Sequence, residues 1–192
     1  MSDETHADLV YLGNKHTTLA TLADNPANVL TAIAPSKTFN IPGLNLSTLI
    51  VPDPKHRAAI TQIFDRIHIS ASNPFSVVAF EAAYRESETW LDELLLYLRD
   101  TRDYVENYVT EHFPKIRLIK PEGTYLLWLD CRALEMSDSQ LKHFFVHKAG
   151  VGMSPGTIFG EGGSGVMRMN IGAPRHTIVA ALEKIKNAER DL

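Results

Sequence analysis

A single cysteine, Cys131, stands in 192 residues. An internal disulfide is therefore excluded, in agreement with a reducing compartment. No apolar run approaches the roughly 20 residues that a membrane-crossing helix needs. The opening MSDETHADLV is acidic and has no apolar stretch of the kind that a secretory leader carries. Nor is there an excess of positive charge: 19 Lys and Arg stand against 23 Asp and Glu, and the basic residues are scattered. That leaves no footprint for nucleic acid or an anionic membrane. Repeats and low-complexity tracts are missing too. These absences lead us to expect a soluble, cytoplasmic protein with neither nucleic acid nor membrane as partner. At this length, one large domain or two small ones can bury a real core.

What is present reads as alternating strands and helices. A strand ends just before or at Asp3, and a turn follows around Gly13 and Asn14. The apolar, partly β-branched NVLTAIA reads as a buried strand ending at Ala34, and LNLSTLIVP as a second strand stopped by Pro52. Asp53 followed by Pro54 predicts a capped helix to about Arg66, with Ile60, Ile63 and Phe64 on its apolar side. Asn73 and Pro74 repeat that signature and open a long helical region. Within it Leu91, Leu94, Leu95, Leu98, Val105, Tyr108 and Val109 keep one apolar stripe.

The remainder predicts a compact α+β unit. IRLIKPEGTYLLWLD reads as two strands around Pro121-Glu122-Gly123, and Ser137 with Gln140 forms a capping box for a helix through QLKHFFVHKA. GVMRMNIGA is a strand. The closing helix PRHTIVAALEKIKNAE points Ile178, Val179, Leu182 and Ile185 inward. The domain boundary is expected near residue 70.

Three motifs fail on their context. Gly160 to Gly165, GEGGSG, satisfies G-x-G-x-x-G, but a strand follows it and Glu161 would repel a phosphate. His143 and His147 have metal-ligand spacing on a helix, yet lack a third ligand, so a solvated helix face is expected. Ser139-Gln140-Leu141-Lys142 imitates S-x-x-K without its companion motifs and reads as a helix start.

Lys37 fares better. In APSKTFNIPGL it emerges between two prolines at the end of a buried strand, where open α/β sheets hold their ligands. On position alone it is equally a lysine whose stem lies on apolar surface while its ammonium reaches water. Its neighbourhood favours function. Asp3-Glu4-Thr5-His6 ends another strand, and MRMNIGAPR places Arg168 on a strand of the tail unit. An amine, a carboxylate and a guanidinium are thus expected to converge between two lobes.

The blocks SDETHADLV, APSKTFNIPGL, NPF, PEGTYLLWLD and PGTIFGEGGSGVMRMNIGAPR resemble, in order and spacing, the second half of fold-type-I pyridoxal-phosphate enzymes. Within that group the chain is most similar to cystathionine β-lyase-like carbon-sulfur lyases of the class I and II aminotransferase family. The resemblance implies an α/β fold: a remnant of the large mixed-sheet domain over 1–70, bridging helices over 71–112, and a small C-terminal α+β domain over 113–192. It implies pyridoxal 5'-phosphate as cofactor and an amino acid as substrate, with a homodimer in the full-length protein.

By the same resemblance, Lys37 matches the lysine that holds the cofactor covalently and then moves the substrate's Cα proton. Asp3 matches the carboxylate that pairs with the pyridine nitrogen, Ser36 a hydroxyl near the phosphate, and Arg168 the arginine that grips the substrate's α-carboxylate. His6 stands where many related aminotransferases carry a tyrosine near the cofactor. Lyase-like members resemble the chain at that position. Asn45 replaces a lysine, glutamine or arginine found in relatives, and Ala34 lacks a hydroxyl common among aminotransferases. The family's first half, which supplies a phosphate loop and a ring-stacking aromatic, has no counterpart, so a C-terminal portion of a longer enzyme is expected. A carbon-sulfur β-lyase is the first reading, an aminotransferase the second, and an inactive or regulatory remnant the third.

Overall fold

The computed structural model describes residues 1–69 and 73–190. The chain divides into two compact units, Met1–Leu95 and Leu96–Leu192. The boundary expected near residue 70 falls outside the described residues.

The first unit carries a three-stranded mixed sheet. β1 (Ser2–Asp3) runs parallel to β2 (Thr31–Ile33), and β2 pairs antiparallel with β3 (Thr48–Ile50). The strand expected over NVLTAIA contracts to three residues, because Pro26 starts a single 3-10 turn through Asn28 that the Asn25 side chain caps. Leu9, Tyr11, Val29, Ala34, Val51 and Ala83 are the buried apolar residues described in this unit. Between β2 and β3 lies α1 (Pro35–Thr38), one helical turn with Ala34 extended before it and proline at its first position.

Proline-and-cap logic holds in the next two helices. Asp53 accepts from the Lys55 and His56 amides at the head of α2 (Pro54–Arg66), and Asn73 accepts from Phe75 at the head of α3 (Pro74–Glu86). The apolar side expected for α2 is left uncovered among the described residues. None of its residues is buried, and Ile63 and Phe64 are exposed. Helical periodicity identifies which side is apolar, not whether anything lies against it. Ser87 interrupts the helical run, and α4 (Glu88–His112) then passes from the first unit into the second.

The second unit is an antiparallel sheet, β4 (Arg117–Ile119), β5 (Leu126–Asp130), β6 (Ser154–Pro155) and β7 (Val166–Asn170), in the order β4-β5-β7-β6. The period of two sends Leu127, Leu129, Met167 and Met169 to one face. There they pack with Val105 and Val109 of α4 and with Ile178, Leu182 and Ile185 of α6 (Arg175–Glu189). Val179, expected inward, is half-buried. The Ser137–Gln140 capping box opens α5 (Asp138–His143), but the helix expected beyond it widens into a π-turn over Phe144–Lys148. That widening buries two consecutive phenylalanines, Phe144 and Phe145, in the same core.

The glycine-rich run is structural. A Cβ on Gly163 would sit 2.1 Å from the Gly156 carbonyl oxygen, so the two backbones meet only because neither has a side chain. Asp138 accepts from the Ser164 hydroxyl at 2.9 Å and the Gly165 amide at 2.8 Å, groups that a phosphate would otherwise want.

Candidate active site

The first unit brings four of the five expected site residues to one end of its sheet. Parallel pairing sets Ser2 against Thr31 and Asp3 against Ala32. The residues that leave β1 and the turn that leaves β2 therefore emerge on the same side, from strands about 4.8 Å apart. Asp3 is exposed at the end of β1, and its Oδ1 accepts from the Thr5 amide at 3.1 Å. Two overlapping turns follow, closed by the Ala7 amide on the Glu4 carbonyl and the Leu9 amide on the His6 carbonyl. They carry His6, half-buried, beside the same strand end.

Glu4 anchors this segment from below. It is buried, its Oε2 lies 2.9 Å from His16 Nε2, and its Oε1 accepts from the Leu19 amide at 3.1 Å. Burial pushes its carboxyl up, but hydrogen bonds from His16, Leu19, Ser2 and Thr18 outweigh that and hold it below its ordinary value. Glu4 is thus a structural anion.

Lys37 and Ser36 lie on α1. Ser36 is half-buried, and its carbonyl accepts from the Ile41 amide at 3.1 Å. The Lys37 side chain is exposed, and no carboxylate among the described residues pairs with it. Its neighbours are tightly held. Thr38 is fully buried and donates to Asp8 Oδ2 at 2.9 Å. Phe39 packs edge-on against Tyr84 and beside Trp90, with centroids 5.5 and 6.1 Å away. Burial and the Asp8 charge push the Tyr84 hydroxyl up. Asn45, exposed, takes a left-handed backbone at φ 49° after the turn Pro42–Leu44. Asparagine tolerates that conformation better than most residues other than glycine.

Arg168 lies in the second unit, on β7, opposite Trp128 of β5 and Ser154 of β6. These three share the sheet face turned away from the main core. The guanidinium sits 4.2 Å above the Phe159 ring, which meets Trp128 edge-on at 5.3 Å. A cation-π contact of this kind contributes about 0.5–1 kcal/mol, enough to orient the group without neutralising it. Asp130 is the acid on the same face, but Arg132 binds it through two contacts at 2.8 and 2.5 Å. That pairing holds the Asp130 carboxyl at about 2. Arg168 is left with its hydrogen-bond donors unclaimed by any carboxylate among the described residues.

Sequence reasoning missed the contribution of Asp8, Thr38, Phe159 and Trp128. Thr38 adjoins Lys37 and invited scrutiny. The Phe159–Trp128 contact joins positions too far apart for any local pattern to reveal.

The amine of Lys37 is open and Asp3 spends only one oxygen on Thr5, so the set fits a cofactor that needs an amine to hold it and an acid beside it. Comparison with known proteins agrees. Residues 1–185 match the family described as aminotransferase class I and II, and the chain belongs to this pyridoxal-phosphate-dependent family of fold-type-I enzymes. Among individual proteins, it is 41% identical over 189 residues to cystathionine beta-lyase PatB of Bacillus subtilis, covering 98% of this chain and 49% of that one. Protein MalY of Escherichia coli is 32% identical over 191 residues, with 99% and 48% covered. Cystalysin of Treponema denticola, whose crystal structure contains pyridoxal 5'-phosphate, superposes with a TM-score of 0.95 at 35% identity, with 99% and 48% covered. The chain spans about half the length of the curated relatives it matches.

Proposed function

We propose that the chain supplies the reactive lysine, the pyridine-nitrogen carboxylate and the substrate-carboxylate arginine of a pyridoxal-phosphate-dependent carbon-sulfur β-lyase. The observation that carries this reading is the parallel pairing of β1 with β2, which puts Asp3 and the Lys37 turn at one sheet end. Likeness to a protein named cystathionine beta-lyase favours elimination over transamination.

Pyridoxal phosphate, when bound, supplies an electron sink for the charge that deprotonation leaves on the substrate's Cα. Lys37 Nζ, in its neutral form, takes that Cα proton. With the cofactor bound, the Asp3 carboxylate would keep a proton on the pyridine nitrogen, Ser36 would offer a hydroxyl to the phosphate, and His6 would lie beside the cofactor. Arg168, oriented by Phe159, grips the α-carboxylate with its planar donors. The β-carbon–sulfur bond breaks with both electrons going to sulfur, which leaves as a thiolate and is protonated. Water then converts the remaining three-carbon product to pyruvate and ammonia. Cystathionine or a cysteine conjugate is the proposed substrate, and a homodimer the proposed assembly of the full-length protein.

The family's description favours a second reading, an aminotransferase using the same residues. The test is one assay on the full-length protein with cystathionine, with and without an added keto acid. Pyruvate and thiol formed without keto acid support the lyase. Keto-acid-dependent exchange without thiol replaces it with the aminotransferase. Lys37→Ala is expected to abolish either activity and covalent retention of the cofactor.

A further inference from the structure

The turn that carries Lys37 has little stability of its own. α1 is a single turn closed by the Phe39 amide on the Pro35 carbonyl at 2.8 Å. One turn fixes several backbone angles for one hydrogen bond and does not persist unaided. Its orientation must come from the two side chains that follow the lysine. Phe39 supplies apolar packing against Tyr84 and Trp90. Thr38, fully buried, supplies the polar tether, a hydroxyl donated to Asp8 Oδ2 at 2.9 Å. Asp8 sits in the second of the two turns that follow β1, so the segment bearing Asp3 and His6 is tied through it to the segment bearing Lys37.

Accepting the reading of Lys37 given above, we propose that Asp8, acting through the Thr38 hydroxyl, is a positioning residue that holds the Lys37 amine in register with Asp3. A carboxylate is suited to this task because a hydrogen bond to an ionised acceptor is short and directional. Asp8 touches no reacting atom. Its effect is on the angle from which the amine meets the substrate's Cα, to which proton transfer is sensitive at the ångström scale.

The test uses the full-length protein with pyridoxal phosphate bound and the variants Thr38→Val, Thr38→Ser, Asp8→Ala and the Thr38→Val/Asp8→Ala double. Three quantities are measured: exchange of the substrate's Cα proton for deuterium, the pH titration of the bound cofactor's visible absorption, and the cofactor fixed on Lys37 by borohydride. Thr38→Val and Asp8→Ala are each expected to slow exchange about ten- to a hundred-fold and to move the titration midpoint. Cofactor fixed on Lys37 should stay at the wild-type level, Thr38→Ser should restore exchange, and the double variant should be no slower than either single one. Wild-type exchange and titration in both single variants overturn the proposal, as do effects that multiply in the double variant. Should Thr38→Val fail to fold, Asp8→Ala, at an exposed carboxylate, decides alone. A wild-type protein in which borohydride fixes no cofactor on Lys37 overturns the functional reading and this role with it. Normal fixation with unaffected variants overturns this role alone.

Discussion

In the unit from Leu96 onward, Leu127, Phe145, Ile171 and Leu182 are each 0% exposed. In the unit before it, Ile63, Ile67 and Phe75 stand 52%, 57% and 77% exposed. Yet the less enclosed unit carries four of the five residues proposed for the site, Lys37, Asp3, His6 and Ser36, and the well-packed one carries the fifth, Arg168. Packing completeness and chemical content are distributed oppositely. The contrast also separates two properties that sequence patterns tend to merge. α2 and α6 have equally readable apolar stripes, and only α6 buries its own.

This contrast can be broken by mutation. Leu182→Ala should cost about 3 kcal/mol, since it empties a filled core position. Ile63→Ala should cost under about 0.5 kcal/mol in the same chain, because the side chain is already wet. Urea unfolding followed by hydrogen exchange in each unit measures both. Equal costs would abolish the distinction.

Next in size is Arg168→Lys, expected to lower kcat/KM of the full-length protein tens-fold for an amino acid, by loss of the planar double donor. An amino amide lacking the carboxylate should discriminate far less between the two proteins. If it falls equally, Arg168 supports the sheet rather than the substrate.

The smallest effect is one of pH. Arg132 lowers the Asp130 carboxyl from 3.8 to about 2, so its contribution is complete above the ordinary value and disappears as pH falls through the folded one. With the Arg132 side chain 66% exposed, about 1 kcal/mol is at stake after solvent screening. The melting temperature of the second unit should decline from pH 4 to pH 2 less steeply in Asp130→Asn than in the wild type.

Much of this was legible beforehand because it rests on local chemistry. Asp53-Pro54, Asn73-Pro74 and Ser137-x-x-Gln140 each fix a helix start within a few residues, and the structure keeps all three. Lys37 was visible because proline, glycine and a β-branched run punctuate the chain around it. Contacts across long sequence intervals were not. Thr38 finds Asp8 thirty positions away, and nothing in either neighbourhood names the other. The π-turn at Phe144 was hidden as well, since adjacent phenylalanines violate helical periodicity until the backbone widens to admit both. Arg132 drew no attention in the sequence, and its hold on Asp130, two residues away, emerges only from the structure.

Gly156 and Gly163 impose a different kind of constraint. Each occupies the space in which the other's first side-chain carbon would grow, so enlarging one cannot be offset by shrinking its neighbour, which is already as small as an amino acid can be. The loop that delivers Phe159 beneath Arg168 is therefore locked in composition at two points. Variation in the reach or bulk of this aromatic support has to arise between those points, at positions such as Thr157 and Ile158, or at Phe159 itself.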